Sequence, residues 1–149
     1  MASQINLANN HIHARGVEFI MSAVDGSRGV RVLYCLEDIS FANNFAGPEG
    51  AAAIGAVMKS NRTLKKINLA WNNIGNAGLM SLIGGIGSQH SRGKIVIAYN
   101  YFDTADLELR EWFGADNSPK KILPKLGISP IESVFTGWDA AGLNDVVPA

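Results

Sequence analysis

Leu64-Lys65-Lys66-Ile67-Asn68-Leu69-Ala70-Trp71-Asn72-Asn73-Ile74-Gly75-Asn76-Ala77-Gly78 is the stretch on which the fold turns. Its centre, Ile67 to Ile74, has a near copy at the start of the chain: Ile5-Asn6-Leu7-Ala8-Asn9-Asn10-His11-Ile12. Two looser copies follow the same pattern, Ile39-Ser40-Phe41-Ala42-Asn43-Asn44 and Ile95-Val96-Ile97-Ala98-Tyr99-Asn100. Aligned on the last asparagine, they give Asn10, Asn44, Asn72 and Asn100, separated by 34, 28 and 28 positions. A fixed period of this size marks a repeat architecture, in which each unit is one supersecondary element. The longer first interval points to an insertion near Asp25-Gly26-Ser27-Arg28-Gly29, where turn residues cluster.

Every unit carries two apolar residues at alternate positions, Ile5/Leu7, Ile39/Phe41, Ile67/Leu69 and Ile95/Ile97. Alternation puts both on one side of a short strand. A small residue follows each time (Ala8, Ala42, Ala70, Ala98). Two positions later stands the asparagine, whose amide donates and accepts and so suits a place where the chain turns inward. Beyond it come Gly16, Gly50 and Gly78, with Asp106 at the fourth equivalent. An amphipathic helix then returns the chain, with apolar positions Val17/Phe19/Ile20, Ile54/Val57/Met58, Leu79/Leu82/Ile83/Ile86 and, last, Leu107/Trp112/Phe113. Pro48 and Glu49 suit the first turn of the second helix. Asp103 to Asp106 offer cap residues for the last helix, and Gly114 offers a stop. Gly84-Gly85 weakens the third helix, which is expected to fray or end early.

Leu64 to Gly78, preceded by the junction Asn61-Arg62-Thr63, resembles the leucine-rich repeat in its ribonuclease-inhibitor-like subtype. The resemblance covers roughly residues 2 to 114, in units near 2–35, 36–63, 64–91 and 92–114. The fourth unit departs from it, with Arg92 in place of a leading leucine and Asp106 in place of glycine. The family implies strand–turn–helix units and hence an α/β solenoid, a short right-handed superhelix with a parallel sheet on its concave face and helices on its convex face. Stacked units share one core. A helix about 10 Å wide against strands about 4.8 Å apart makes the stack curve.

The side chains that face away from the core follow from the alternation. They are Gln4, Asp38, Lys66 and Lys94, then Asn6, Ser40, Asn68 and Val96, then Asn9, Asn43, Trp71 and Tyr99. Ser3, Glu37, Lys65 and Gly93 lie just upstream. One half of this face is polar with an acidic spot at Glu37/Asp38; the other gathers Lys65, Lys66, Lys94, Trp71 and Tyr99. Rigid aromatics beside charges are typical of interface anchors, so Trp71, Tyr99, Lys65, Lys66, Lys94, Asn68, Glu37 and Asp38 form the candidate binding site. Residues 115–149 carry Pro119, Pro124, Pro130 and Pro148 and lose the period. Lys120 to Leu126 reads as an extended apolar segment and Ile131 to Phe135 as a short helix or strand. So many large apolar residues predict a tail packed on the last unit or on a partner. The first strand begins close to Met1, which predicts an edge that a partner, a second copy or a further segment covers.

Composition narrows the function classes. The chain has 149 residues, 47% hydrophobic and 17% charged, which excludes a disordered chain. Lys+Arg and Asp+Glu are each 13, so a general affinity for nucleic acid or anionic lipid is not expected. No apolar run is long enough to span a bilayer and no secretory leader is visible, so an intracellular protein without membrane insertion is expected. Cys35, the single cysteine, reads as a buried structural thiol. His11 and His13 lack a third ligand for zinc, and His90 reads as a solvated loop residue. Asn61-Arg62-Thr63 is a formal glycosylation acceptor but fits better as the repeat junction. Gly47-Pro48-Glu49-Gly50 lacks the lysine of a phosphate loop, and no Gly-x-Ser-x-Gly occurs. The expectation is a protein-binding module without catalysis, metal or cofactor, an accessory or scaffold subunit of a hetero-complex or homo-oligomer. Similar repeats build the Ran GTPase-activating protein, whose analogue here would use a residue such as Arg15, and the actin-capping tropomodulin.

Overall fold

The computed structural model describes residues 3–25, 35–87, 94–103, 108, 111–112, 122–130 and 134–136. The elements in chain order are β1 (Gln4–Asn6), α1 (Ala14–Asp25), β2 (Asp38–Ser40), α2 (Gly47–Met58), β3 (Lys66–Asn68), α3 (Gly75–Gly87), β4 (Lys94–Val96), β5 (Tyr101–Asp103), a 3-10 turn (Leu123–Leu126), β6 (Ile128–Ser129) and β7 (Val134–Thr136). The main sheet is five-stranded, in the order β1-β2-β3-β4-β6. All its pairs are parallel, and Ile5, Ile39, Ile67, Ile95 and Ile128 stand in one register row. A second parallel pair joins β5 to β7.

Alternation decides which face is buried. Ile39, Phe41, Ile67, Leu69, Ile95 and Ile97 are fully enclosed, together with Val17, Met21 and Val24 of α1, Ile54 and Met58 of α2, and Leu79, Leu82, Ile83 and Ile86 of α3. These residues form one continuous apolar cluster, which supplies most of the driving force at ~25 cal/mol per Å² buried. The cluster includes Phe102 of the fourth unit and continues beyond that unit through Leu123 and Ile128. The first unit is looser: Ile5, Leu7, Ile12 and Ile20 are partly buried.

Several local expectations are corrected. Helix α3 runs through Gly84-Gly85 to Gly87. A Cβ on Gly85 would lie 2.2 Å from the Gly55 carbonyl oxygen, and one on Gly55 would lie 2.4 Å from that of Ser81. The glycines let α2 and α3 approach backbone to backbone, and the packing outweighs the low helix propensity. Phe19 is exposed, because it sits about 200° around α1 from Val17 while Met21 and Val24 complete the inward stripe. Trp112 is likewise exposed rather than inward. Asp103 lies in strand β5, not at a helix cap, and Leu123–Leu126 coils into a 3-10 turn rather than extending. Cys35 is half-buried. The insertion at Gly26–Gly29, Gly93, His90, Arg92, Asp106, Leu107, Phe113 and Gly114 lie outside the described residues.

Candidate functional site

The turn that ends each strand is built around the asparagine. Asn44 Oδ1 accepts from the N–H groups of Asn10 (3.0 Å) and Ile12 (2.9 Å). Its Nδ2 donates to the carbonyls of Leu7 and Phe41, both at 2.9 Å. Asn100 repeats this two units on, accepting from Asn72 and Ile74 and donating to Leu69, Ile97 and Ala98. Asn72 accepts from the Ala46 N–H and donates to Phe41 and Ala70. Each side chain therefore ties its own turn to the unit before it. Asn44, Asn72 and Asn100 are 4%, 1% and 0% exposed, so the backbone groups they satisfy would cost ~1–3 kcal/mol each if orphaned. Asn10 is exposed and bonds only the nearby carbonyls of Leu7 and Ala8.

The residue just before each asparagine takes a left-handed backbone: Asn9 (φ 62°), Asn43 (φ 53°), Trp71 (φ 57°) and Tyr99 (φ 57°). In three units its N–H donates to the next alanine carbonyl, from Asn9 to Ala42, Asn43 to Ala70 and Trp71 to Ala98. Asparagine tolerates this conformation, whereas a bulky residue is unusual there and costs about 1–2 kcal/mol. The two aromatics nevertheless occupy it and project to solvent, Trp71 at 52% and Tyr99 at 41% exposure. Their rings stack with centroids 4.4 Å apart and planes 9° apart. In-register strands cause this, since equivalent side chains stand about one strand spacing apart.

The charged residues occupy the opposite end of the same face. Lys66 and Lys94 are register neighbours, with Asp38 beside Lys66. Lys65 pairs with Glu37 at 3.1 Å, both well exposed, a contact worth at most about 1 kcal/mol. Asn68, between the lysines and the rings, uses Oδ1 to accept from the Ala70 N–H at 2.9 Å. Asp38, Lys66, Asn68 and Lys94 thus take outward strand positions on β2, β3 and β4, and Glu37, Lys65, Trp71 and Tyr99 stand partly or fully exposed on the flanks of those strands.

A second aromatic cluster has no counterpart among the expected site residues. Phe45, 53% exposed, stacks with His11 at 5.6 Å and His13 at 5.0 Å. His11 and Phe45 each follow a repeat asparagine directly, as does the exposed Tyr101. That shared offset is the signal that finds the cluster. Among the described residues no group of three His, Cys, Asp or Glu could hold a metal ion. Between α1 and α2 runs a shallow groove floored by Ala52, Ala53 and Ala56 and flanked by Glu18 and Glu49. Asn61 Oδ1 accepts from the N–H groups of Thr63 and Leu64, so the would-be glycosylation triplet folds the turn into β3.

No helix among the described residues is long and apolar enough to cross a membrane. A comparison with curated proteins gives no match. Residues 60–82, which span the junction, β3, its asparagine turn and the start of α3, match the leucine-rich repeat family. That match and the parallel α/β architecture support a leucine-rich repeat protein, a class of repeat that generally binds proteins and is not itself enzymatic.

Proposed function

We infer that the chain is a non-catalytic protein-binding module, an accessory or scaffold subunit that holds a partner polypeptide on the open face of its sheet. In this reading the stack is a short right-handed solenoid of the ribonuclease-inhibitor-like subtype, and the open face is its concave side. The observation that carries the reading is the Trp71–Tyr99 stack. Two large rings sit half-exposed on backbone that disfavours them. Large rigid aromatics of this kind dominate interface energetics when a partner desolvates them.

A photo-crosslinking residue tests this in the full chain inside its native cell. Placed at Val96, on the open face, it is expected to yield a discrete adduct with one polypeptide. Placed at Ala56 or Ala77, on the exposed side of α2 and α3, it is expected to yield none. Adducts from the helical positions alone would overturn the assignment.

A further inference from the structure

We propose that the partner presents an acidic segment bearing one large apolar or aromatic side chain. Its carboxylates would meet Lys66 and Lys94 and its anchor would lie against Trp71 and Tyr99. This rests on the reading of the open face as the docking surface and adds the chemistry of what docks there.

Charge bookkeeping along the face singles out the two lysines. Glu37 is engaged by Lys65. Asp38 has one lysine neighbour, Lys66, in its register row. Lys94 follows Lys66 directly in that row, and the next rung belongs to Gly127, one residue before the Ile95↔Ile128 pair. Among the described residues neither Lys66 nor Lys94 is held in an ion pair, and of the two only Lys66 has a carboxylate, Asp38, as a register neighbour, so the two like charges are incompletely offset. Like charges directly opposite in a sheet repel, and a carboxylate lodged between them removes that repulsion and adds two attractions. The rings follow five residues further along the chain, at most about 17 Å away at 3.3 Å per residue. Between them lie only Asn68 and Val96, short side chains that leave a peptide unobstructed.

A nucleic acid fits less well. Base stacking needs open ring faces, and Trp71 and Tyr99 each cover one face of the other. Two unpaired lysines also neutralise few phosphates, whereas backbone contacts dominate nucleic-acid affinity.

A random peptide library displayed on phage and panned against the full chain tests the proposal. Enrichment of Asp/Glu-rich peptides that contain a Trp, Phe, Leu or Tyr is expected. Binding of those peptides should fall about tenfold on the Lys66→Glu/Lys94→Glu variant, and it should weaken as salt rises. Circular dichroism confirms that each variant folds. Selection of neutral or basic peptides that Trp71→Ala/Tyr99→Ala abolishes would overturn the acidic partner while leaving the docking face standing. Peptides indifferent to all four positions, such as basic ones seated in the α1–α2 groove, would overturn both. So would an empty selection, or tighter binding of oligothymidylate than of any peptide.

Discussion

Positions 9, 43, 71 and 99 stand one residue before positions 10, 44, 72 and 100, and the two rows obey different rules. The second row is asparagine in every unit, and in the later units its amide bonds buried backbone on both sides of the turn. The first row shares only a backbone conformation, φ of 53–62°, and changes from Asn9 and Asn43 to Trp71 and Tyr99. Repetition inside one chain therefore separates two kinds of constraint. A side chain is invariant where hydrogen bonds leave no alternative. It varies where it faces solvent, and an unfavourable choice there points to a purpose outside the fold.

The sharpest way to break this contrast is to remove the amide. Asn100→Ala orphans the N–H groups of Asn72 and Ile74 and strips the carbonyls of Leu69, Ile97 and Ala98 of the donor they share. A loss of about 3–5 kcal/mol in denaturant unfolding is expected. Asn10→Ala breaks only exposed local bonds and should cost about 1 kcal/mol or less. Equal losses at both sites would show that position in the ladder does not matter.

A second adjacent pair sharpens the same lesson on the helical side. Gly85 meets the backbone of Gly55, whereas a Cβ on Gly84 would meet nothing within 4 Å. Gly85→Ala should force α2 and α3 apart and destabilise by about 1–3 kcal/mol. Gly84→Ala should stabilise by roughly 0.5–1 kcal/mol, because alanine restricts the unfolded chain and favours helix. Thermal unfolding of the two variants reads both signs. Two gains would mean that the α3 glycines act through propensity alone.

The parallel rows of Ile5, Ile39, Ile67 and Ile95 are legible in the sequence because register follows a period-two pattern repeated at nearly fixed spacing. The outward rows follow from that same alternation. What the pattern leaves out depends on contacts between units. Gly84-Gly85 carries no mark of the Gly55 backbone that lies against it. Phe19 looks inward by hydropathy, but Val17, Met21 and Val24 already fill the stripe. The strand at Ile128–Ser129 lies 33 positions after Ile95, off the 28-residue period, and follows a turn whose proline, Pro124, hides its kinship. At the site, the presence of Trp71 and Tyr99 is legible, but their left-handed backbone and mutual stacking are products of the turn and the register. The Phe45 cluster with His11 and His13 needs two units side by side before it exists.

The smallest expected effect is the one that bears most on function. Trp71→Asn places at position 71 the residue that the first two units carry at 9 and 43. The substitution relieves about 1–2 kcal/mol of left-handed backbone cost. It forfeits a ring pair worth about 0.5–1.5 kcal/mol and some partial burial. These terms nearly cancel, so the unfolding free energy should stay within about 1 kcal/mol of the parent. The backbone bond from position 71 to the Ala98 carbonyl survives, since it uses the N–H alone. A loss above about 2 kcal/mol would place the ring in the structural row with its neighbour Asn72, because only a packing role could cost so much at a half-exposed position. A near-zero change leaves Trp71 with no net contribution to the fold, as expected of a ring kept for what it touches outside the chain.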